Sequence, residues 1–111
     1  MLDKEKTNLN LDKLDLKIIY ILLIENKLSP LQSLKVNELM DLVNMNVSYV
    51  TFNRRIVSKL IPLEYVIEGY REGHSKTYYL SEKGKKYFEN NILSKEKDAF
   101  EIIEIEENEE D

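Results

Sequence analysis

The apolar positions of this chain change spacing several times, and each change marks an element. From Leu11 to Asn26 they are dense and include the unbroken run Ile18-Ile19-Tyr20-Ile21-Leu22-Leu23-Ile24. That density predicts a helix over 11–26, capped by Asn10 and buried on most sides, because a one-sided amphipathic helix would carry fewer apolar residues. Residues 27–33 form a loop punctuated by Ser29 and Pro30. Leu34-Lys35-Val36 reads as a short strand. Asn37 caps a short second helix, Glu38 to Val43, with Glu38 favourable in its first turn. Asn44-Met45-Asn46 is a tight turn, since Asn tolerates left-handed geometry. Asn46 caps a third helix from Val47 to Ile61, which Pro62 ends.

The period then changes to that of strands. Tyr65-Val66-Ile67-Glu68 and Thr77-Tyr78-Tyr79-Leu80 are β-rich, and the Gly-containing segment 69–76 joins them as a hairpin. Ser81 opens a fourth helix to about Asn91, with a broken continuation through Asp98-Ala99-Phe100. The predicted fold class is α+β, mainly α. Its domain spans 11–95, between a flexible N-terminus, 1–10, and an acidic, disordered tail, 96–111.

Composition narrows the chemistry. A chain of 111 residues is one domain at most. It has no cysteine, one histidine and three glycines. Disulfides, thiolate nucleophiles, zinc–thiolate clusters and phosphate-cradling glycine loops are therefore ruled out. No Ser/His/acid set is evident, so the expectation is a protein that is not an enzyme and takes no cofactor or metal. The longest apolar run is far short of the roughly 20 residues that span a bilayer. A soluble, cytoplasmic protein without a membrane partner is expected.

The net charge of −5 argues against a polyanion as partner until its distribution is considered. Residues 96–111 hold nine acids and one base, whereas residues 1–95 hold 15 bases and 12 acids, a balance of +3. Within 54–95 the count is nine bases to five acids, or +4. The basic surplus sits in the second half of the folded part.

On a wheel of 100° per residue, Ser48, Thr51, Arg54, Arg55, Ser58 and Lys59 share one arc of the third helix. Tyr49, Val50, Phe52, Ile56, Val57, Leu60 and Ile61 share the other, with Asn53 the one polar exception. Hydroxyls and guanidinium groups without an acid suit a major groove, where Arg grips guanine O6 and N7 and Ser or Thr bonds to bases or phosphates. A solvated surface helix would look similar in isolation. The short helix and tight turn before it give the spacing of a helix-turn-helix. The hairpin offers Arg71, His74, Ser75 and Lys76 to phosphate or an adjacent minor groove. The candidate DNA-binding set is thus Ser48, Tyr49, Thr51, Arg54, Arg55, Ser58 and Lys59 on the helix, and Arg71, His74, Ser75 and Lys76 on the hairpin. Tyr65, Tyr70, Tyr78, Tyr79 and Tyr87 could stack on single-stranded bases, but their spacing fits core aromatics better.

Glu64-Tyr65-Val66-Ile67-Glu68 followed by Gly73-His74-Ser75-Lys76-Thr77-Tyr78-Tyr79-Leu80-Ser81-Glu82-Lys83-Gly84 resembles the wing and following helix of the MarR and PadR regulator families. Leu80-Ser81-Glu82-Lys83-Gly84 matches their closing pattern fully, and Ser48-Tyr49-Val50-Thr51 matches the start of their recognition helix in type. The resemblance covers roughly 36–91. It implies a winged helix-turn-helix with an N-terminal buried helix, a two-stranded wing and a C-terminal helix. Glu64 stands where these regulators usually have Gly, with Pro62 able to supply the helix stop. In size and layout the chain is also similar to the small winged-helix adaptors of tubulin-type plasmid and phage partition systems.

The expected function is sequence-specific binding of double-stranded DNA by a homodimeric transcriptional repressor. The alternatives are a centromere-binding adaptor of a partition system and a protein-binding winged-helix module. The first helix is either the central core helix or, with the C-terminal helix, a dimer element. The acidic tail serves solubility, competes with phosphate for the basic face, or recruits a protein partner.

Overall fold

The computed structural model describes residues 11–93. The predicted features of 1–10 and 96–111, and the helical continuation through 98–100, lie outside the described residues. Four helices and a three-stranded antiparallel sheet make up the described chain, which is α+β and about half helical. In order these are α1 (Lys13–Ile24), β1 (Leu34–Lys35), α2 (Val36–Val43), α3 (Tyr49–Arg55), β2 (Val66–Glu68), β3 (Thr77–Leu80) and α4 (Glu82–Phe88). Two helices run on into a wider π-helical turn, α3 through Ile56–Leu60 and α4 through Glu89–Leu93. No helix among the described residues is long and apolar enough to cross a membrane.

Three helix starts differ from the predicted ones by two residues, each for a local reason. Asp12, not Asn10, caps α1: its carboxylate accepts the Asp15 N–H at 3.1 Å while the Asp15 carboxylate accepts the Asp12 N–H at 2.9 Å. This reciprocal arrangement satisfies two of the donors a helix start leaves open. α2 begins at Val36 rather than after an Asn37 cap, because Glu38 reaches back to the Lys35 N–H at 3.0 Å. α3 is capped by Ser48 rather than Asn46, its hydroxyl oxygen accepting the Thr51 N–H at 3.1 Å. Asn44 takes the left-handed conformation predicted for the turn between α2 and α3, with φ 54°.

α1 runs through the middle of the core. Leu14, Ile18, Ile19, Tyr20, Ile21 and Leu22 are all buried, against Leu39 and Val43 of α2, Phe52 of α3, Tyr78 of β3 and Phe88 of α4 among others. Of the two roles open for its apolar run, that of core helix accounts for residues 18–22 within one chain. The aromatics follow the same economy of space. Tyr65 and Tyr78 are buried, Tyr65 stacks on Tyr87 with ring centroids 4.9 Å apart, and Tyr70 alone of the five is largely exposed.

The sheet order is β1-β3-β2, with Leu34 opposite Tyr78 and Val66 opposite Leu80. The Leu-Ser-Glu-Lys-Gly pattern after β3 has a physical basis. Ser81 accepts the Gly84 N–H at 2.9 Å as cap of α4, and its hydroxyl donates to the Glu64 carbonyl at 2.6 Å. A Cβ at Gly84 would lie 2.5 Å from the Tyr65 carbonyl oxygen, so only glycine lets α4 approach the start of β2 this closely.

Glu64, in the position where glycine was expected, has φ 68°. The chain needs a left-handed residue to turn from the π-helical end of α3 into β2, and a side chain there costs about 1–2 kcal/mol. Glu64→Gly removes that cost but adds roughly 0.5–1 kcal/mol of unfolded-state entropy. The expected net gain is up to about 1.5 kcal/mol, read as a higher urea midpoint at unchanged slope. A lowered midpoint would contradict this account of the turn.

Candidate nucleic-acid interface

Only a narrow stripe of α3 and its π-helical extension is buried: Phe52, Ile56 and Leu60, spaced by four. The wide apolar arc of the wheel is thereby corrected. Tyr49, Val50 and Val57, expected to pack, are 51%, 61% and 43% exposed. They share the outward surface with Ser48, Thr51, Arg54 and Ser58. Of the apolar residues on this helix, Phe52, Ile56 and Leu60 join the core cluster that α1 runs through.

Arg55 and Lys59 are the other correction. Predicted on the exposed arc, they turn onto α1. Arg55 Nη1 lies 2.7 Å from Asp12 Oδ1 and 3.0 Å from Asp15 Oδ1, and Lys59 Nζ lies 2.6 Å from Asp15 Oδ2. The Asp15 side chain has no solvent exposure at all. A carboxylate in that position is tolerable only with cations and N–H donors around it, and it receives two cations and the Asp12 N–H. Burial alone would raise the Asp12 carboxyl, but the Asp15 N–H and then the charge of Arg55 override it and hold it below its usual value. Burial alone would lower Arg55, and the hydrogen bond and charge of Asp15 hold it above its usual value.

The signal for this cluster was present in the sequence. Asp15 falls at helical spacing with Ile18, Ile19 and Leu22, on a face with no water, and an acid there calls for a basic partner. Arg55 and Lys59 at a spacing of four are that partner.

The hairpin is set by bonds to the chain that follows α1. The Tyr70 N–H donates to the Pro30 carbonyl at 3.2 Å, and the Leu80 N–H donates to the Lys27 carbonyl at 2.8 Å. The Ser33 hydroxyl donates to Thr77 Oγ1 at 2.8 Å, and Thr77 in turn donates to the Tyr70 carbonyl. At the tip, Glu72 and Ser75 exchange two backbone hydrogen bonds of 2.9 and 3.0 Å around Gly73-His74, with Gly73 at φ 67°. Glycine with positive φ at the first central position is what a two-residue hairpin turn requires. His74 therefore occupies the tip with Gly73, and Arg71 and Lys76 stand one residue behind the Glu72–Ser75 pair on the two arms. All three are exposed, as is Ser75, and Arg71 keeps a loose contact of 3.8 Å with Glu68.

The hairpin tip and α3 share one groove of about 630 Å³. Tyr49, Asn53 and Val57 line its helix side, and His74, Ser75 and Lys76 line its hairpin side. The structure thus brings four of the predicted residues, Tyr49, His74, Ser75 and Lys76, to one concavity. Ser48, Thr51, Arg54 and Ser58 lie on the exposed surface of α3 outside the groove lining, and Arg71 lies on the hairpin outside it. Sequence reasoning missed Lys35 and Asn37 in the groove floor, and Glu38 and Asp41, which give its α2 side a negative edge.

The charge of the face is consequently carried by few groups. No acid occurs between residues 42 and 63, and among the described residues no carboxylate pairs with Arg54. Among the described residues no group of three or more His, Asp or Glu side chains is placed to hold a metal ion. No protein-family model matches the chain, and no curated protein or solved structure matches it either.

The Asp15 cluster makes two checkable statements. Asp15→Asn leaves Arg55 and Lys59 without their shared anion and should cost about 2–4 kcal/mol in urea unfolding, less than a fully buried pair because both cations retain access to water. Asp12→Asn keeps a capping oxygen and removes only charge. Because the folded-state carboxyl is held below 3.8, its contribution is fully present above about pH 4 and lost as pH falls through the lowered value. The wild type should exceed Asp12→Asn in stability by under about 1 kcal/mol near pH 6, and the two should converge in strong acid. A gap that persists unchanged in acid would show that charge is not what Asp12 contributes.

Proposed function

We propose that this chain binds double-stranded DNA as a winged helix-turn-helix, with α3 in the major groove and the 69–76 hairpin against the adjoining backbone or minor groove. The observation that carries the reading is the shared groove between the outward side of α3 and the tip of the hairpin. Around it the element order α1-β1-α2-α3-β2-β3-α4, the left-handed Asn44 between α2 and α3, and the sheet order β1-β3-β2 all support that reading. A helix of about 10–12 Å diameter matches a major groove about 12 Å wide. The stretch 42–63 carries no acid to repel phosphate. Arg54 is the cation of α3 available to a base, and Lys76 and Arg71 are those of the hairpin available to phosphate.

A second reading, a protein-docking module, draws on the exposure of Tyr49, Val50 and Val57. Salt separates the two. Binding to duplex DNA should weaken steeply with salt, log K falling by about 0.9 per phosphate neutralised, while docking through apolar side chains is nearly flat. Arg54→Ala should weaken the best duplex selected from a random pool by about 1–3 kcal/mol and relax base preference at one position. Lys76→Ala should weaken selected and scrambled duplexes alike. Equal losses on both duplexes for Arg54→Ala would make it a phosphate contact, and no salt-sensitive binding to any duplex would remove the DNA reading. Footprints then divide the expected biological roles: a repressor protects an isolated palindrome, and a partition adaptor protects an array of direct repeats.

A further inference from the structure

We propose that α3 reads thymine methyl groups, so that the preferred site is an A·T-rich segment with thymines about three base-pair steps apart around a guanine. The inference rests on the DNA-binding reading and names the sequence class it selects. Val50 and Arg54 are four apart on α3 and so neighbours on its surface, and Val57 stands on the outward side of the π-helical turn that continues it. The two valines are 61% and 43% exposed, and Arg54 between them is exposed and has no carboxylate partner among the described residues. Thr51, also exposed, adds a methyl group beside Val50.

A valine on a groove-facing helix has no donor or acceptor, so it cannot read a base by hydrogen bonding. The apolar feature that the major-groove edges offer is the C5 methyl of thymine. Arg between the valines is suited to the two acceptors of guanine. Seven residues of helix advance about 10 Å, which is about three base-pair steps of 3.4 Å. The outward side therefore has the order methyl, guanidinium, methyl at roughly the pitch of stacked bases. Charge on the α3 side favours DNA over a protein as occupant: hydroxyls and a cation are interleaved with the valines and no acid occurs from residue 42 to 63, the acids Glu38 and Asp41 lying on the α2 side of the groove.

The test uses the full chain. The tightest duplex is selected from a random pool and resynthesised with deoxyuridine in place of thymidine, which removes the methyl groups and leaves base pairing intact. Affinity should fall about threefold to fourfold for each methyl that meets a valine. Val50→Ala/Val57→Ala should show a clearly smaller uridine effect than the wild type, the remainder carried by Thr51 and the alanine methyls, and unchanged thermal unfolding would show that these exposed substitutions leave the fold alone. Equal affinity of the wild type for both duplexes, or a selected site without thymine, overturns methyl readout and leaves DNA binding standing. A uridine effect of the same size in wild type and double variant also overturns it, since the methyls would then act through duplex shape. Failure to bind any duplex at low salt removes both proposals and returns the valines to a protein-docking face.

Discussion

One carboxylate cut off from water fixes how α3 lies on the domain. Asp15 on α1 draws in Arg55 and Lys59, and Asp12 adds a second anion to Arg55. Apolar packing alone would leave the rotation of α3 loosely determined, because its upper surface carries nearly as many large apolar residues as its lower one. Ion pairs of 2.6–3.0 Å to a buried group are far more directional than dispersion contacts. Once Arg55 and Lys59 are turned to α1, Phe52, Ile56 and Leu60 point into the core and Val50, Arg54 and Val57 must point out. The wider π-helical turn from Ile56 to Leu60 lies within this anchored stretch.

The hairpin depends on a second, purely polar set of constraints. The loop after α1 holds its base through Pro30, Ser33 and Lys27, and the cap of α4 holds the start of β2 through Ser81. The first ties the hairpin to the loop that leaves α1, and the second ties the entry of β2 to the start of α4. The concavity between α3 and the hairpin tip is thus the joint product of a buried charge cluster on one side and a hydroxyl and backbone network on the other. Of the side chains that line it, Tyr49, His74 and Lys76 are exposed and do little for the core, whereas Val36 and Tyr78 belong to it.

Much of this organisation was legible in the sequence, for identifiable reasons. Asn44 announces a left-handed turn, Pro62 a helix end, Ser81 a cap, and the two β-rich runs a hairpin, because each rests on local backbone chemistry. The exposed arc of α3 was legible only in part. A wheel sorts residues by polarity, and polarity does not reveal that Arg55 and Lys59 are claimed by an acid forty residues earlier in the chain. The valines were misassigned for the converse reason: how many apolar residues a helix buries depends on what packs beneath it. That packing is a tertiary quantity. The left-handed Glu64 is intermediate, since the expected glycine marked the strained position even though another residue occupies it.

The account turns on whether the surface formed by α3 and the hairpin is the one that meets duplex DNA. Amide chemical-shift mapping of the isotopically labelled full chain, titrated with its selected duplex, tests this residue by residue. The account predicts that the largest shifts fall on residues 48–58 and 71–76, with the amides of α1 and α4 little changed. Shifts concentrated on α1 or α4 with the α3 and hairpin amides unmoved would contradict it.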